Sequence, residues 1–367
     1  MVLVIEFFTN VQKYCQQLNQ LITKKMNNNI ENLNNVINSA MNEVNQLTDN
    51  KSNVGLFTVK TASEWIEEAK NRPIPKMLFG EFWFEGEVCI LFSDTNLGKS
   101  ILAVQIGNSI SKNEEIKGFK LEAPKQSILY FDFELSDKQF ENRYSTNYSE
   151  HYGFDENFIR IEMNSDATHP AGETFEDFLL YSLEQSIINT NAKVIILDNI
   201  TFLKTGTESA KDALPLMKDL KSLKNKYGLS ILVLAHTPKR DLSKEITRND
   251  LAGSKMLINF CDSSFTIGES SKDKNLRYIK QIKQRNTENI YNSENVCVCE
   301  ISKQQSFLGF ELIDYSSESE HLKNFTEQDR DSIIEQVKLL SSHGKTQREI
   351  SEELGISLGA VNKYLRK

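Results

Sequence analysis

The sequence predicts an α/β fold: a mostly parallel sheet flanked by helices, preceded by a helical arm and followed by a small all-α domain. Three observations carry this expectation. Between residues 70 and 315, short apolar runs alternate with amphipathic stretches, the pattern of a sheet covered on both faces. One run, Val88-Cys89-Ile90-Leu91-Phe92, passes through a tight loop into a stretch of helical periodicity that starts at Ser100. Residues 325–367 hold short helical patterns separated by Gly-containing turns.

In chain order, residues 1–55 form an Asn-rich helical arm. Ile30, Leu33, Ile37, Ala40, Val44 and Leu47 recur alternately three and four apart, which is a heptad seam. Such a seam pairs with another protomer, lies along its own domain, or belongs to a poorly ordered arm. Asn71-Arg72-Pro73-Ile74-Pro75 marks entry to the core, 70–315. Strands are expected at 88–92, 127–133, 194–197, 230–235, 276–282, 296–301 and 307–313. Helices are expected at 100–111 and 212–227, the second stopped by Gly228. Residues 316–324, opening on Ser316-Ser317-Glu318-Ser319-Glu320, read as a polar linker to the C-terminal domain.

Composition narrows the function classes. A hydrophobic content of 39% suffices for a real core, and a net charge of −8 excludes a surface coated with cations for nucleic acid. DNA contacts must then come from local basic patches or from pore loops in an assembly. Cys15, Cys89, Cys261, Cys297 and Cys299 are few, odd in number and mostly in apolar runs, as expected of buried thiols in a reducing cytoplasm. The Cys297-x-Cys299 spacing does not suit a zinc knuckle. Met1-Val2-Leu3-Val4-Ile5-Glu6 lacks a basic leader region, and no run approaches membrane-span length, so no membrane association is expected.

The loop Ser93-Asp94-Thr95-Asn96-Leu97-Gly98-Lys99-Ser100 matches the phosphate-binding pattern G-x-x-x-x-G-K-[ST] at all but its first glycine. Its context of strand, tight loop and helix predicts a nucleoside triphosphate, ATP, with Mg²⁺. Backbone N–H groups of the loop and first helical turn would wrap the phosphates. Gly98 would allow close approach, Lys99 would reach the β- and γ-phosphates, and Ser100 would give its hydroxyl to Mg²⁺. Asn96 suits a left-handed backbone. If the first position needs positive φ, Ser93 costs on the order of 1 kcal/mol.

Other strand ends supply partners. Val194-Ile195-Ile196-Leu197-Asp198 is a buried-type strand whose terminal carboxylate would hold Mg²⁺. Asn199 follows it, so the water-activating base must come from elsewhere. Asp132 and Glu134 point to one side of their strand; Glu134, at its end, is the expected base and Asp132 the structural member. His236 ends Ile231-Leu232-Val233-Leu234-Ala235 and would sense the γ-phosphate or pair structurally. Arg285, in Lys283-Gln284-Arg285-Asn286, could stabilise charge on a transferring phosphoryl group.

Taken together and in this order, the loop, Glu134, Asp198, His236 and Lys283-x-Arg285 resemble the RecA-like ATPase core of hexameric replicative helicases of the DnaB and plasmid RepA type. Lys283-Gln284-Arg285-Asn286 is similar to the finger motif of DnaB-type helicases. Phe131-Asp132-Phe133-Glu134-Leu135-Ser136 resembles ATPases carried on bacterial mobile elements. The resemblance implies a homo-oligomer, a hexameric ring or a filament, with ATP sites between subunits and with Arg285 and Lys283 acting on a neighbour's site. It also implies single-stranded DNA contacts from loops 204–211 and 238–251. The second loop carries Lys239, Arg240, Lys244 and Arg248, which suit phosphate contacts.

At the C-terminus, Thr326-Glu327-Gln328-Asp329 and Thr346-Gln347-Arg348-Glu349 are capping-box starts. With Gly344, Gly355 and Ser357 they delimit a helix-turn-helix, similar to the DNA-reading domains of response regulators and sigma factors. Val361 and Leu365 would face inward, and Asn362, Lys363, Arg366 and Lys367 would face DNA. The expected function is an ATP-hydrolysing, DNA-associated protein, a helicase-like motor in replication or mobilisation of a mobile element. The alternative is an ATP-regulated DNA-binding protein that does not unwind.

Overall fold

The computed structural model describes Lys13, Gln16, Asn19, Gln20 and Lys25, then residues 53–168, 170, 172–200, 210–238, 240–251, 254–323, 327–354 and 356–366. The heptad seam, most of loop 204–211, Lys239, Thr326, Gly355 and Lys367 lie outside the described residues. The chain divides into two units, Met1–Ile74 and Pro75–Lys367.

In the first unit Asn53–Val54 pairs antiparallel with Phe57–Thr58, turning at Gly55. Helix α1, Ala62–Lys70, starts at a capping box between Thr61 and Glu64.

In the second unit, nine strands among the described residues form the central sheet. They are β1 Val88–Ser93, β2 Ile128–Asp132, β3 Phe158–Ile161, β4 Val194–Asp198, β5 Ser230–His236, β6 Ser263–Glu269, β7 Leu276–Lys283, β8 Val296–Gln304 and β9 Phe307–Ser316. Their order is β9-β8-β7-β6-β1-β5-β4-β2-β3. Strands β6, β1, β5, β4, β2 and β3 run parallel; β7, β8 and β9 extend the sheet as an antiparallel meander. The expectation of a mostly parallel sheet flanked by helices holds. Strand β5 separates the loop-bearing β1 from β4, so the strand ends carrying Ser93, His236, Asp198 and Asp132 stand in a row on one edge of the sheet.

Both faces are buried, which explains why the parallel strands read as continuous apolar runs rather than as alternation. Ile90, Phe92, Leu129, Phe131, Ile195 and Leu197 face one layer, with helices α4 (Phe175–Thr190), α5 (Ala210–Tyr227) and α6 (Ser254–Phe260). Cys89, Leu91, Tyr130, Ile196 and Leu232 face the other, where Leu102, Ala103, Ile106 and Ile110 of helix α2 (Lys99–Lys112) pack. Helix α3, Asp137–Arg143, follows β2. Cys297 and Cys299 are buried free thiols, as expected from packing.

The structure corrects two expectations. Strand β6 lies between β1 and β7 although its Ser263-Ser264-Phe265-Thr266 sequence gave no strand signal. Its polar side chains are buried because they find partners: Ser263 donates to Glu87 and Thr266 donates to the Phe92 carbonyl at 2.8 Å. The stretch 316–320 is not a free linker. A short 3₁₀ turn, Glu318–His321, buries both Glu318 and His321. Glu318 pairs with Lys280 and accepts the Ile246 N–H at 2.8 Å. His321 lies between Ser270 and Ser316 hydroxyls at 2.7 and 2.6 Å.

The C-terminal helices are α7 Glu327–Ser342, α8 Gln347–Leu354 and α9 Leu358–Leu365. They close on a small core of Val337, Ile350 and Val361. Gly344 takes φ 81° after α7, Thr346 and Glu349 form the expected capping box, and Ser357 accepts from the Ala360 N–H. Among the described residues no helix is long and apolar enough to cross a membrane.

Candidate functional site

The loop after β1 has the geometry of an anion cradle. Asn96 and Gly98 take positive φ, 61° and 96°. Ser93 is the buried last residue of β1 and does not, so the expected strain at the missing glycine does not arise. Asn tolerates the left-handed region better than other non-glycine residues, which explains Asn96. Gly98 is required twice over: a Cβ there would stand 2.9 Å from both Ile301 Cδ1 and Phe310 Cζ. As N-cap of α2 it brings no side-chain cap, so the first-turn N–H groups are left to a ligand. Lys99 curls back to the loop, donating to the Ser93 and Asp94 carbonyls at 3.0 and 2.9 Å. Burial pulls its pKa below the ordinary lysine value, opposed by Asp198, Glu134 and Asp94. A polyanion beside it would favour the charged form.

Asp198, at the end of β4, is 1% exposed. It accepts from the Tyr130 hydroxyl at 2.7 Å, and the Ser100 hydroxyl stands close enough to favour its charged form. These two oxygens suit Mg²⁺, which is commonly bound by one or two protein oxygens together with substrate phosphates. Among the described residues no cluster of His, Cys, Asp and Glu could hold a metal without such help. Burial pushes the Asp198 carboxyl up to about 6, against the Ser100 and Tyr130 hydrogen bonds. This group's contribution to stability is fully present below about pH 4, the range of an unfolded aspartate, and is lost as the pH rises through 6. Asp198→Asn is therefore expected to stabilise the nucleotide-free protein at pH 7 by up to roughly 3 kcal/mol. The gain should vanish near pH 4, as read by denaturant midpoints of both proteins at each pH.

Glu134, two residues past the end of β2, meets the ends of β4 and β5. Asn199 Nδ2 donates to its Oε1, and His236 Nε2 lies 3.5 Å from the same oxygen. Asn199 Nδ2 is also 3.0 Å from His236 Nε2. The His236 hydrogen bond holds the Glu134 carboxyl below the usual glutamate range; partial burial opposes it and Lys99 assists. Glu134 is thus ionised at neutral pH and can accept a proton. Asp132 is the last residue of β2. It is buried, and its Oδ1 accepts the Glu134 and Leu135 N–H groups at 3.2 and 3.0 Å.

Lys283 and Arg285 are not brought to this loop. Lys283 donates to the Ile258 and Cys261 carbonyls, and Arg285 reaches Asp262 at 3.0 Å. Asp262 also accepts the Val88 N–H, at the start of β1. The pair thus stands a strand length, roughly 17 Å, from the phosphate loop of its own chain. Beyond β5, Arg240 is half-buried and lines a cavity of about 250 Å³ with Asp94, Asn96, Thr237 and Arg277, whereas Lys244 and Arg248 are exposed. Asn362, Lys363 and Arg366 of the C-terminal domain are exposed.

Sequence reasoning missed Tyr130, the direct partner of Asp198, and Arg160, the partner of Asp132. Tyr130 could have been found, because it shares a strand face with Asp132 two residues on. Arg160 lies on β3, a strand with no usable signal of its own.

Several comparisons bear on this geometry. A family model described as winged helix-turn-helix DNA-binding matches residues 344–367. A crystal structure of a KaiC-like protein from the hyperthermophilic archaeon Pyrococcus horikoshii OT3 is similar at 14% identity, over 63% of this chain and 91% of that one, with a TM-score of 0.43. No curated protein matches the chain. A family model described as an AAA domain matches residues 57–241, which hold the phosphate loop, Glu134, Asp198 and His236. That match spans half of the 367 residues, and the chain belongs to this AAA-domain family.

Proposed function

We propose that the protein hydrolyses ATP with Mg²⁺ as part of a homo-oligomeric, helicase-like motor on DNA, serving replication or mobilisation of a genetic element. The observation that carries the reading is the convergence of Lys99, Ser100, Asp198 and Glu134 at one edge of the sheet, with Asn199 and His236 beside Glu134. Lys99 and the α2 N-terminus bind the phosphates. Ser100 and Asp198 hold Mg²⁺, which when bound neutralises charge on the transferring phosphoryl group. Glu134 orients and deprotonates the attacking water.

The distance of Arg285 and Lys283 from their own loop supports a site shared between subunits, in which they reach a neighbour's γ-phosphate. Helix α9 would lie in a DNA groove, with Asn362, Lys363 and Arg366 on phosphates. Lys239, Arg240, Lys244 and Arg248 would add contacts to a single strand. The second reading, an ATP-controlled DNA-binding protein without unwinding, is favoured by one feature: Asn199 and His236 already engage Glu134, a contact suited to a slow switch.

The test is ATP turnover with and without single-stranded DNA, alongside native mass and unwinding of a forked duplex. DNA-stimulated turnover, an oligomer and unwinding are expected. Slow turnover indifferent to DNA, with tight duplex binding, would select the second reading. Lys99→Ala should abolish nucleotide binding, and unchanged hydrolysis in that variant would remove the loop from the mechanism.

A further inference from the structure

We infer that Arg160, acting through Asp132, is a positioning residue that sets where Glu134 stands. The inference rests on the reading of Glu134 as the base. Arg160 lies on β3, paired with Tyr130 of β2, and does not touch Glu134. Its guanidinium serves three groups around the segment that carries Glu134, and its Nη2 also pairs with Glu162, just past the end of β3. Nε donates to Asp132 Oδ2 at 2.9 Å, Nη2 to the Leu135 carbonyl at 2.8 Å, and Nη1 to Asp137 Oδ1 at 2.9 Å. The plane is further held over the Phe140 ring, 4.7 Å from its centre.

Asp132 completes the clamp. Its other oxygen takes the N–H groups of Glu134 and Leu135. The Phe133 N–H donates to the Asp198 carbonyl at 2.9 Å, tying the same segment to β4. The two peptide groups flanking Glu134 are therefore pinned by Asp132 through their N–H groups, and Arg160 holds the next peptide through the Leu135 carbonyl. The Asp132 side chain is fully buried and that of Arg160 is 17% exposed, so water does not readily replace either. A neutralising partner for Asp132 would need one contact. The fork to Leu135 and Asp137 goes beyond that need and fixes the course of the chain from β2 into α3.

The consequence is a loss of rate without a loss of binding. A displacement of about 1 Å at a reacting group can cost about a hundredfold. Arg160→Met is expected to lower kcat for ATP by roughly 10- to 100-fold. KM should stay within about twofold, because the phosphate loop is untouched. Arg160→Lys keeps a cation beside Asp132 but cannot fork, and should show the same split to a smaller degree. It carries the test if the Met variant does not fold. The deciding measurement places each change in a Glu134→Gln background. If Arg160 works through Glu134, the added substitution should change the residual rate by less than about twofold. Losses that multiply, or a raised KM with kcat unchanged, would overturn the inference. If Glu134→Gln alone hydrolyses ATP at the wild-type rate, the reading of Glu134 as base falls, and that result is distinct from a failure of Arg160.

Discussion

Glu134→Gln should bind ATP as the wild type does and hydrolyse it about 10²- to 10⁴-fold more slowly, the usual worth of a general base. The substitution keeps an oxygen for the Asn199 amide, so the strand ends should stay joined. It removes the only property a neutral amide cannot supply, the capacity to take a proton. The carboxyl is held below the usual glutamate range by His236, so the wild-type carboxyl is ionised at neutral pH. Single-turnover hydrolysis with a parallel binding titration separates the two steps. Hydrolysis within threefold of wild type would eliminate Glu134 as base. Weaker ATP binding with an unchanged chemical step would make it a binding residue instead.

Lys280→Met should destabilise the protein by about 3–5 kcal/mol, the usual cost of removing one partner of a buried ion pair. Lys280 and Glu318 have side chains only 7% and 0% exposed. Lys280 also donates to the Ile246 carbonyl at 2.9 Å and the Ser293 hydroxyl at 2.7 Å. Glu318 accepts from Ile246 N–H and from the Tyr278 hydroxyl at 3.1 Å. Without the ammonium the carboxylate stays buried and uncompensated. Lys280→Met with Glu318→Leu should recover part of the loss, because the charge that needed a partner is gone. Denaturant midpoints of the single and double variants check this. A single variant within 1 kcal/mol of wild type would mean that water reaches Glu318 when Lys280 is removed.

These predictions differ in how far the sequence announced them. Lys99, Ser100 and Asp198 were legible because a phosphate loop and a strand-end carboxylate are local patterns, each written in a few consecutive residues. Glu134 was legible one step less directly, from its place at a strand end. Strand β6 was not, because burial of Ser263 and Thr266 depends on Glu87 and the Phe92 carbonyl, far away in the chain. The segment 316–320 looked like a linker for the same reason. Five polar residues in a row read as solvent-exposed until Lys280 and Ser270 stand opposite them. Ser93 looked like a defect, and only the backbone angles moved the left-handed positions to Asn96 and Gly98.

By itself the sequence determined the α/β class, the phosphate-loop motif with a carboxylate at a strand end, and the C-terminal helix-turn-helix, since apolar periodicity and short motifs are set by neighbours along the chain. Only the tertiary structure decided that Arg160 stands against Asp132 and Tyr130 against Asp198, and that Lys283 and Arg285 stand away from their own loop. Those are contacts between strands that meet side by side in the sheet, and hydrogen bonds across a sheet carry no signature in the order of residues along any one strand.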